Sequence, residues 1–319
     1  MRFLPSEDQL AFAATVDEVV ERLGATTIAQ RWAEGDSTAG VVLWQHFAEL
    51  GIGGLRIAED DGGLGGSAND LVVIFERLGY HAAPGPYLES VALLPRLVDR
   101  ATRGELAEGA IATASVAGLA PAALDAEAAS LRFVIADGAI ARASVGTPVG
   151  SLATTRRLAL LEPLGDRVEL DPAILAAALD ETALAAAAFL IGAGERLLDE
   201  AVGYAKVREQ FGRPIGEFQA IKHRLASVRV ALSFARPLVW AAAVGADGPS
   251  FGRDVSAAKA TAAKAATQAM HAALQVHGAI GYTGEHPLHI WLGLVPALAN
   301  AWGTPAYHRA RVAAALAAG

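Results

Sequence analysis

Tyr204-Ala205-Lys206-Val207-Arg208-Glu209-Gln210-Phe211-Gly212-Arg213-Pro214-Ile215-Gly216-Glu217-Phe218-Gln219-Ala220-Ile221-Lys222-His223 is the stretch on which the fold turns. A long helix ends at a turn punctuated by Gly212, Pro214 and Gly216, and a second helix begins near Glu217. Glycine and proline at this density break regular structure, so the segment joins two antiparallel helices. Upstream, Leu190, Leu197, Ala201 and Tyr204 fall on one helical stripe, and Gly192 and Gly194 permit close backbone approach. Downstream, helical patterns run over about 217–245, 254–277 and 305–318. Helices of this length with short connections predict a bundle from about residue 173 to the end.

Toward the N-terminus the texture changes twice. Between about 106 and 172, Arg132–Gly138, Arg157–Glu162 and Arg167–Leu170 read as short strands separated by turn residues. Residues 6 to about 105 are again helical in pattern. Ser6 before Glu7 and Asp8 is an N-cap with acids at the positive end of the helix dipole. A helix over Val41–Leu50 stops at Gly51, and Asn69 is placed to cap the next, which runs to about Gly79. The expected fold class is mainly α with a small β domain: an N-terminal helical domain over 1–105, a reduced β domain over 106–172 and a C-terminal helical bundle over 173–319.

Composition narrows the function. The 319 residues carry 26 Lys and Arg against 34 Asp and Glu, a net charge of −8, and 53 % are hydrophobic. An acidic chain is the wrong sign for nucleic acid or a membrane surface. Without cysteine there is no disulfide, thiolate metal site or thiol nucleophile. The apolar run Ala183–Ile191 is far short of the ~20 residues a bilayer requires, and Met1–Asp8 lacks an apolar leader. A cytoplasmic protein is expected. No glutamate has histidine three positions later, so a di-iron bundle site is not predicted, and the scattered histidines support no metal. Gly63-x-Gly65-x-x-Ala68 follows three acids and is flanked by helical pattern, which makes it a turn rather than a phosphate loop.

The informative candidates are Arg208, suited to paired hydrogen bonds with phosphate oxygens, and Phe211 and Phe218, which offer flat apolar faces. Gln219 adds an amide. The same residues also fit a packing role, with Arg208 at a helix C-terminus and the phenylalanines in the core.

A resemblance shifts that balance. The stretch closely resembles the Tyr-x-x-x-Arg-x-Gln-Phe-Gly-x-x-Ile-x-x-Phe-Gln signature of the acyl-CoA dehydrogenase family. Gln275–His286 is similar to the family's later Gln-x-x-Gly-Gly-x-Gly-Phe/Tyr-Thr, with Ala279 in place of the second glycine. Gly54–Gly65 is similar to its N-terminal Pro-Glu-x-x-Gly-Gly-x-Gly, with Ala58 in place of the proline. The resemblance implies an N-terminal helical domain, a middle β-barrel and a C-terminal four-helix bundle. It implies FAD as cofactor, its ring held by one subunit's β domain and its pyrophosphate and adenosine gripped by the neighbour. The gripping positions match Arg208, Gln210, Phe211, Phe218, Gln219, Gln275, Gly278 and Ala279.

What the resemblance does not carry is equally informative. The family's reaction removes the α-proton of an acyl-CoA with a carboxylate while the β-hydrogen leaves as hydride. The two positions where members carry that base are matched by Trp302 and Thr182, neither of which can act as one. Glu181 is adjacent to Thr182 but about 100° around the helix. The flavin-ring motif Thr-Glu-Pro-x-Ala-Gly-Ser-Asp has no counterpart; the nearest region is Ala110–Ala117. No catalytic residue is therefore assigned. The retained grip without ring site or base resembles the short chain of the heteromeric α2β2 acyl-CoA dehydrogenases of steroid-degrading bacteria. That implies a longer partner subunit, a bulky acyl-CoA substrate and an acceptor flavoprotein. Two alternatives stay open at this point: a self-sufficient dehydrogenase or flavin oxidase using Glu181 or Glu285, and a non-enzymatic scaffold.

Overall fold

The computed structural model describes residues 4–318. Met1–Phe3, part of the segment read above as lacking a leader, lie outside the described residues.

The N-terminal region is α1 (Glu7–Leu23), α2 (Ala25–Ala33), α3 (Thr38–Glu49), α4 (Ala68–His81) and α5 (Arg100–Ala107). Ser6 caps α1 through a capping box in which its hydroxyl accepts from Gln9 N–H and the Gln9 amide returns to Ser6 N–H. α4 is capped by Ser67 with Asp70, not by Asn69, and extends to His81. The reason is geometric: a cap must precede the first turn, and Asp70 three residues on completes the reciprocal pair. The glycine-rich segment is a tight turn. A Cβ on Gly63 would collide with the Ile57 carbonyl, and Arg103 reaches back to Asp61 at 2.8 Å.

The middle region is a five-stranded sheet of β1 (Ala112–Val116), β2 (Ala123–Leu124), β3 (Leu131–Ala136), β4 (Ala139–Val149) and β5 (Leu158–Glu169), in the order β1-β3-β4-β5-β2. β1 and β3 run parallel, and β3–β4–β5 form an antiparallel meander. The end strands β1 and β2 lie side by side, so the sheet curls into a small barrel-like unit. β2 is two residues long, which leaves most of the outer edge of β5 unpaired.

The C-terminal bundle is α6 (Pro172–Val207), α7 (Gln219–Val244), α8 (Phe251–His277), α9 (Leu288–Asn300) and α10 (Pro305–Ala318). α9 is not legible in the hydropathy pattern, because Pro287 and Pro296 bracket and interrupt it. Pro287 occupies its N-cap position without a side-chain cap bond, and the tertiary packing of Ile290, Trp291, Leu294 and Leu298 carries it through Pro296. α6 is the axis of the molecule. It packs against α4, α7 and α8, and its residues 183–194 are all buried. A Cβ on Gly192 would overlap the Glu76 carbonyl of α4, so only glycine allows this crossing. Helices α6 and α7 are long and apolar enough to cross a membrane by length and composition, which the short run Ala183–Ile191 did not suggest. In α6, 72 % of the apolar window is buried inside the fold, so that surface is used in the core.

Candidate functional site

The two motifs separated by about sixty residues meet at one end of the bundle. α6 ends at Arg208, whose backbone N–H still bonds the Tyr204 carbonyl while its φ and ψ turn extended. The chain then makes a two-residue hairpin, β6 (Glu209–Gln210) against β7 (Arg213–Pro214). Phe211 and Gly212 at the tip both have positive φ, 56° and 76°, the left-handed pair that a tight hairpin of this length demands. Glycine accepts that conformation readily; phenylalanine does so at a cost. Ile215 N–H closes the loop on the Arg208 carbonyl at 2.8 Å, and α7 starts at Gln219.

α8 ends beside this hairpin. The Tyr204 ring stacks on His277 at 4.4 Å, which fixes the last turn of α6 against the last turn of α8. His277 N–H at Nδ1 donates to the Ala273 carbonyl, and burial holds its pKa below the usual imidazole value. Gly278 follows with φ 64° and ψ −140°, a conformation essentially reserved for glycine, and nothing stands within 4 Å of where its Cβ would be.

The expected grip residues are thus on one exposed end. Arg208, Gln210, Gln219, Gln275, Gly278 and Ala279 are all exposed. Phe211 is 92 % exposed and edge-on to Phe218 at 6.2 Å, with the Arg213 guanidinium over the Phe218 ring at 4.4 Å. A core role for Phe211 is therefore excluded. The Arg208 side chain makes no hydrogen bond or ion pair among the described residues. A fork of five N–H donors, three amides, an open backbone at a glycine and a raised aromatic face suit a pyrophosphate carrying a flat heterocycle. This donor set fits the nucleotide half of FAD.

The two positions matched to the family's base, 302 and 182, are closed. Trp302 is buried, with φ 58° and an indole N–H that has no partner. Its carbonyl accepts from His308 Nε2–H at 2.9 Å, and His308 Nδ1 lies 3.2 Å from the Ser256 hydroxyl. Burial pushes the His308 pKa down to about 4, so the ring is neutral and keeps this arrangement at neutral pH. The Thr182 hydroxyl donates to the Ala178 carbonyl at 2.7 Å. Glu181 is buried, with one oxygen 2.5 Å from Arg56 Nε and the other 2.6 Å from Arg96. Arg56 also donates to the Gly66 carbonyl. A carboxylate held by two guanidinium groups is a structural anchor between the N-terminal domain and α6. Glu285 is exposed in the turn before α9.

Between Tyr87, Phe189, Leu294 and the β4–β5 loop the interior leaves a cavity of about 20 Å³, the size of one water. That loop brings in Arg156, which faces the buried Glu89 and Asp125. Burial raises these acids to about 7 and about 6 against the pull of Arg156. Lys259 is fully buried and donates to the Leu298 and Ala299 carbonyls, capping the C-terminus of α9 from inside the core. None of these groups was singled out in the sequence, because each is an isolated charge whose partners are remote in the chain.

One further cluster was hidden by sequence distance. Glu200, His277 and His286 place their ligand atoms within 4.8 Å of one another. His286 Nδ1 accepts from Leu288 N–H at 3.1 Å, so a neutral His286 ring carries its proton on Nε2 and has no lone pair there for a metal. The three side chains join the ends of α6 and α8.

A helical domain, a small curled sheet and a helical bundle with one open, donor-rich end make up the architecture. Family models describe residues 6–98 as the acyl-CoA dehydrogenase N-terminal domain and 173–317 as its C-terminal domain. The chain is 33 % identical over 301 residues to acyl-CoA dehydrogenase IpdE2 of Mycobacterium tuberculosis, covering 90 % of both. It belongs to the acyl-CoA dehydrogenase family, whose cofactor is FAD. In fold it is similar to a chain of the ChsE4–ChsE5 complex of Mycobacterium tuberculosis, with a TM-score of 0.86 at 23 % identity over the whole of both chains. It is similar also to a chain of the Tcur3481–Tcur3483 steroid acyl-CoA dehydrogenase, with a TM-score of 0.79 at 22 % identity over 95 % of this chain and 98 % of that one.

Proposed function

We propose that this chain is the non-basic subunit of a heteromeric FAD-dependent acyl-CoA dehydrogenase acting on a bulky, steroid-derived acyl-CoA in the cytoplasm. It grips the pyrophosphate and adenosine of an FAD whose ring, with the catalytic base, belongs to a longer partner chain in an α2β2 assembly. The observation that carries the reading is the contrast between the two ends of one chain. The Arg208, Gln210, Phe211, Phe218, Gln219, Gln275, Gly278 and Ala279 end is open and unpaired, while the base positions hold a buried Trp302 and an internally bonded Thr182. The likeness to a chain of the ChsE4–ChsE5 complex and to a chain of the Tcur3481–Tcur3483 steroid acyl-CoA dehydrogenase supports the partner and the substrate class.

When bound, FAD supplies the hydride acceptor. This chain's residues bind and orient. Arg208 would offer paired N–H donors to the pyrophosphate, Gln219 and Gln275 would offer amide contacts, and the Phe211 ring would offer the heterocycle an apolar face. The α-proton would be taken by the partner, and an acceptor flavoprotein would be the further component.

The test is Arg208→Ala in the complex that this chain forms when co-purified with the product of its neighbouring open reading frame. A charge-assisted hydrogen bond is worth roughly 1.5–3 kcal/mol, so FAD should bind about 10- to 150-fold more weakly. Because the side chain has no internal partner, the melting temperature of the isolated chain should not move. Full FAD retention by the variant complex would refute the grip. A lone chain that purifies yellow and bleaches with an acyl-CoA would refute the division of labour.

A further inference from the structure

The residues proposed to grip the nucleotide do not fix their own geometry. Gly278 and Ala279 follow directly on His277, the last residue of α8, and Gly278 N–H still bonds the Leu274 carbonyl. His277 is buried, and its two ring nitrogens are unequal. Nδ1–H donates to the Ala273 carbonyl at 2.8 Å, whereas Nε2 is buried without a partner. One face of the ring stacks on Tyr204 of α6, and His286 lies T-shaped to it with 4.7 Å between centroids. His286 is pinned in turn. Its Nδ1 accepts from Leu288 N–H at 3.1 Å, at the start of α9, and its carbonyl accepts from His289 Nδ1–H at 2.8 Å. The turn between the two histidines packs against both anchors: a Cβ on Gly281 would lie 3.3 Å from His277 Cβ and 3.1 Å from the Leu288 side chain. Glu200 is the acid beside both imidazoles, and one of its oxygens already accepts from Arg196 at 2.7 Å. The Arg196 guanidinium lies over the Trp291 ring of α9 at 4.9 Å.

We infer that His277 and His286 are positioning residues for the nucleotide grip and act in their uncharged forms, holding the turn that carries Gly278 and Ala279 at the Arg208 end of the bundle. This rests on the proposed function. The chemistry of each ring makes the neutral form necessary. A proton added to His286 goes on Nδ1, where it would meet the Leu288 N–H donor to donor, and the pin at the start of α9 is lost. A proton added to His277 goes on Nε2, a buried atom, and burial already holds that ring below the usual imidazole pKa. Either charge arrives beside the other ring. The charged groups facing the pair are Glu200 and, through it, Arg196, which balance each other, so the added proton finds no free counter-ion among the described residues. An unfolded histidine takes its proton near pH 6.5, above the folded His277, so the clasp is complete above about pH 6.5 and is lost as pH falls below it.

The experiment measures FAD affinity by flavin fluorescence from about pH 8 to about pH 5.5, in the complex that this chain forms with the product of its neighbouring open reading frame. Wild type should bind about tenfold or more weakly at the acid end. His286→Asn keeps an acceptor for Leu288 N–H, because an asparagine oxygen bonds the N–H two residues on, but takes no proton there. His277→Phe keeps the ring stack without a titrating nitrogen. Both variants should match wild type at pH 8 within about twofold, each should show a shallower acid loss, and the double variant should be flat. His277→Ala, which removes the stack, should weaken binding at every pH. A wild-type affinity that does not change with pH, or single variants that keep the wild-type profile, would overturn the assignment. Loss of FAD from Arg208→Ala at pH 8, read separately, would then still uphold the grip, whereas full FAD retention by Arg208→Ala alongside the expected pH profiles would overturn the grip reading and not the role of the two histidines.

Discussion

Replacing Glu181 with glutamine separates a structural carboxylate from a relocated catalytic one. Glu181 is 2 % exposed and lies between Arg56, 13 % exposed, and Arg96, 41 % exposed. Glutamine keeps the shape but removes the charge and one acceptor, leaving Arg56 buried without its counter-ion. Breaking a buried pair costs about 3–5 kcal/mol, while the half-exposed Arg96 interaction, screened by solvent, adds at most about 1 kcal/mol. Arg56 keeps its bond to the Gly66 carbonyl, which places the expected loss near the lower end, roughly 3–4 kcal/mol. For a chain of this length the unfolding entropy is about 0.7 kcal/mol/K, so the melting temperature should fall by roughly 4–6 °C. The assay is thermal unfolding of the isolated chain followed by circular dichroism, with dehydrogenation by the complex measured well below the transition. Near-wild-type turnover in a destabilised subunit is expected. An unchanged melting temperature with abolished turnover would refute the reasoning and make Glu181 the base.

Three other outcomes follow from particular contacts. Gly192→Ala forces a methyl into the Glu76 carbonyl of α4, and overpacking of this kind costs about 1–3 kcal/mol; denaturant titration should show the loss, and Gly203→Ala, with open space at its Cβ, should not. Lys259 is held at about 7 by burial, whereas the unfolded chain keeps that proton to about pH 10.4, so the unfolded state binds more protons between the two values. Stability from this group therefore rises with pH over pH 7–10 by up to about 1.4 kcal/mol per unit, a slope that Lys259→Met should remove in pH-dependent urea melts. Trp302→Glu places a carboxylate at the position matched to the family's base, in a buried site where even the indole N–H has no partner. It should destabilise the chain by about 3 kcal/mol or more and confer no dehydrogenase activity on the isolated subunit, as assayed by dye reduction with an acyl-CoA.

The order of helices, strands and helices was legible because local chemistry announces it. Alanine-rich helical periodicity, the Ser6 cap and the turn residues between 106 and 172 act within a few positions of themselves. The two motifs proposed to grip the nucleotide were legible as residue strings, and so was the absence of a carboxylate at positions 182 and 302. What no string contains is that Arg208 and Gly278 share one end of the bundle; the Tyr204–His277 stack decides that, between residues seventy-three positions apart. The tertiary structure alone decided that Phe211 stands in solvent rather than in the core, and that Glu181 is clasped by Arg56 and Arg96. Helix propensity and turn chemistry are short-range and survive in the sequence, whereas burial, desolvation and ion pairing depend on which distant segments the fold brings within a few ångströms.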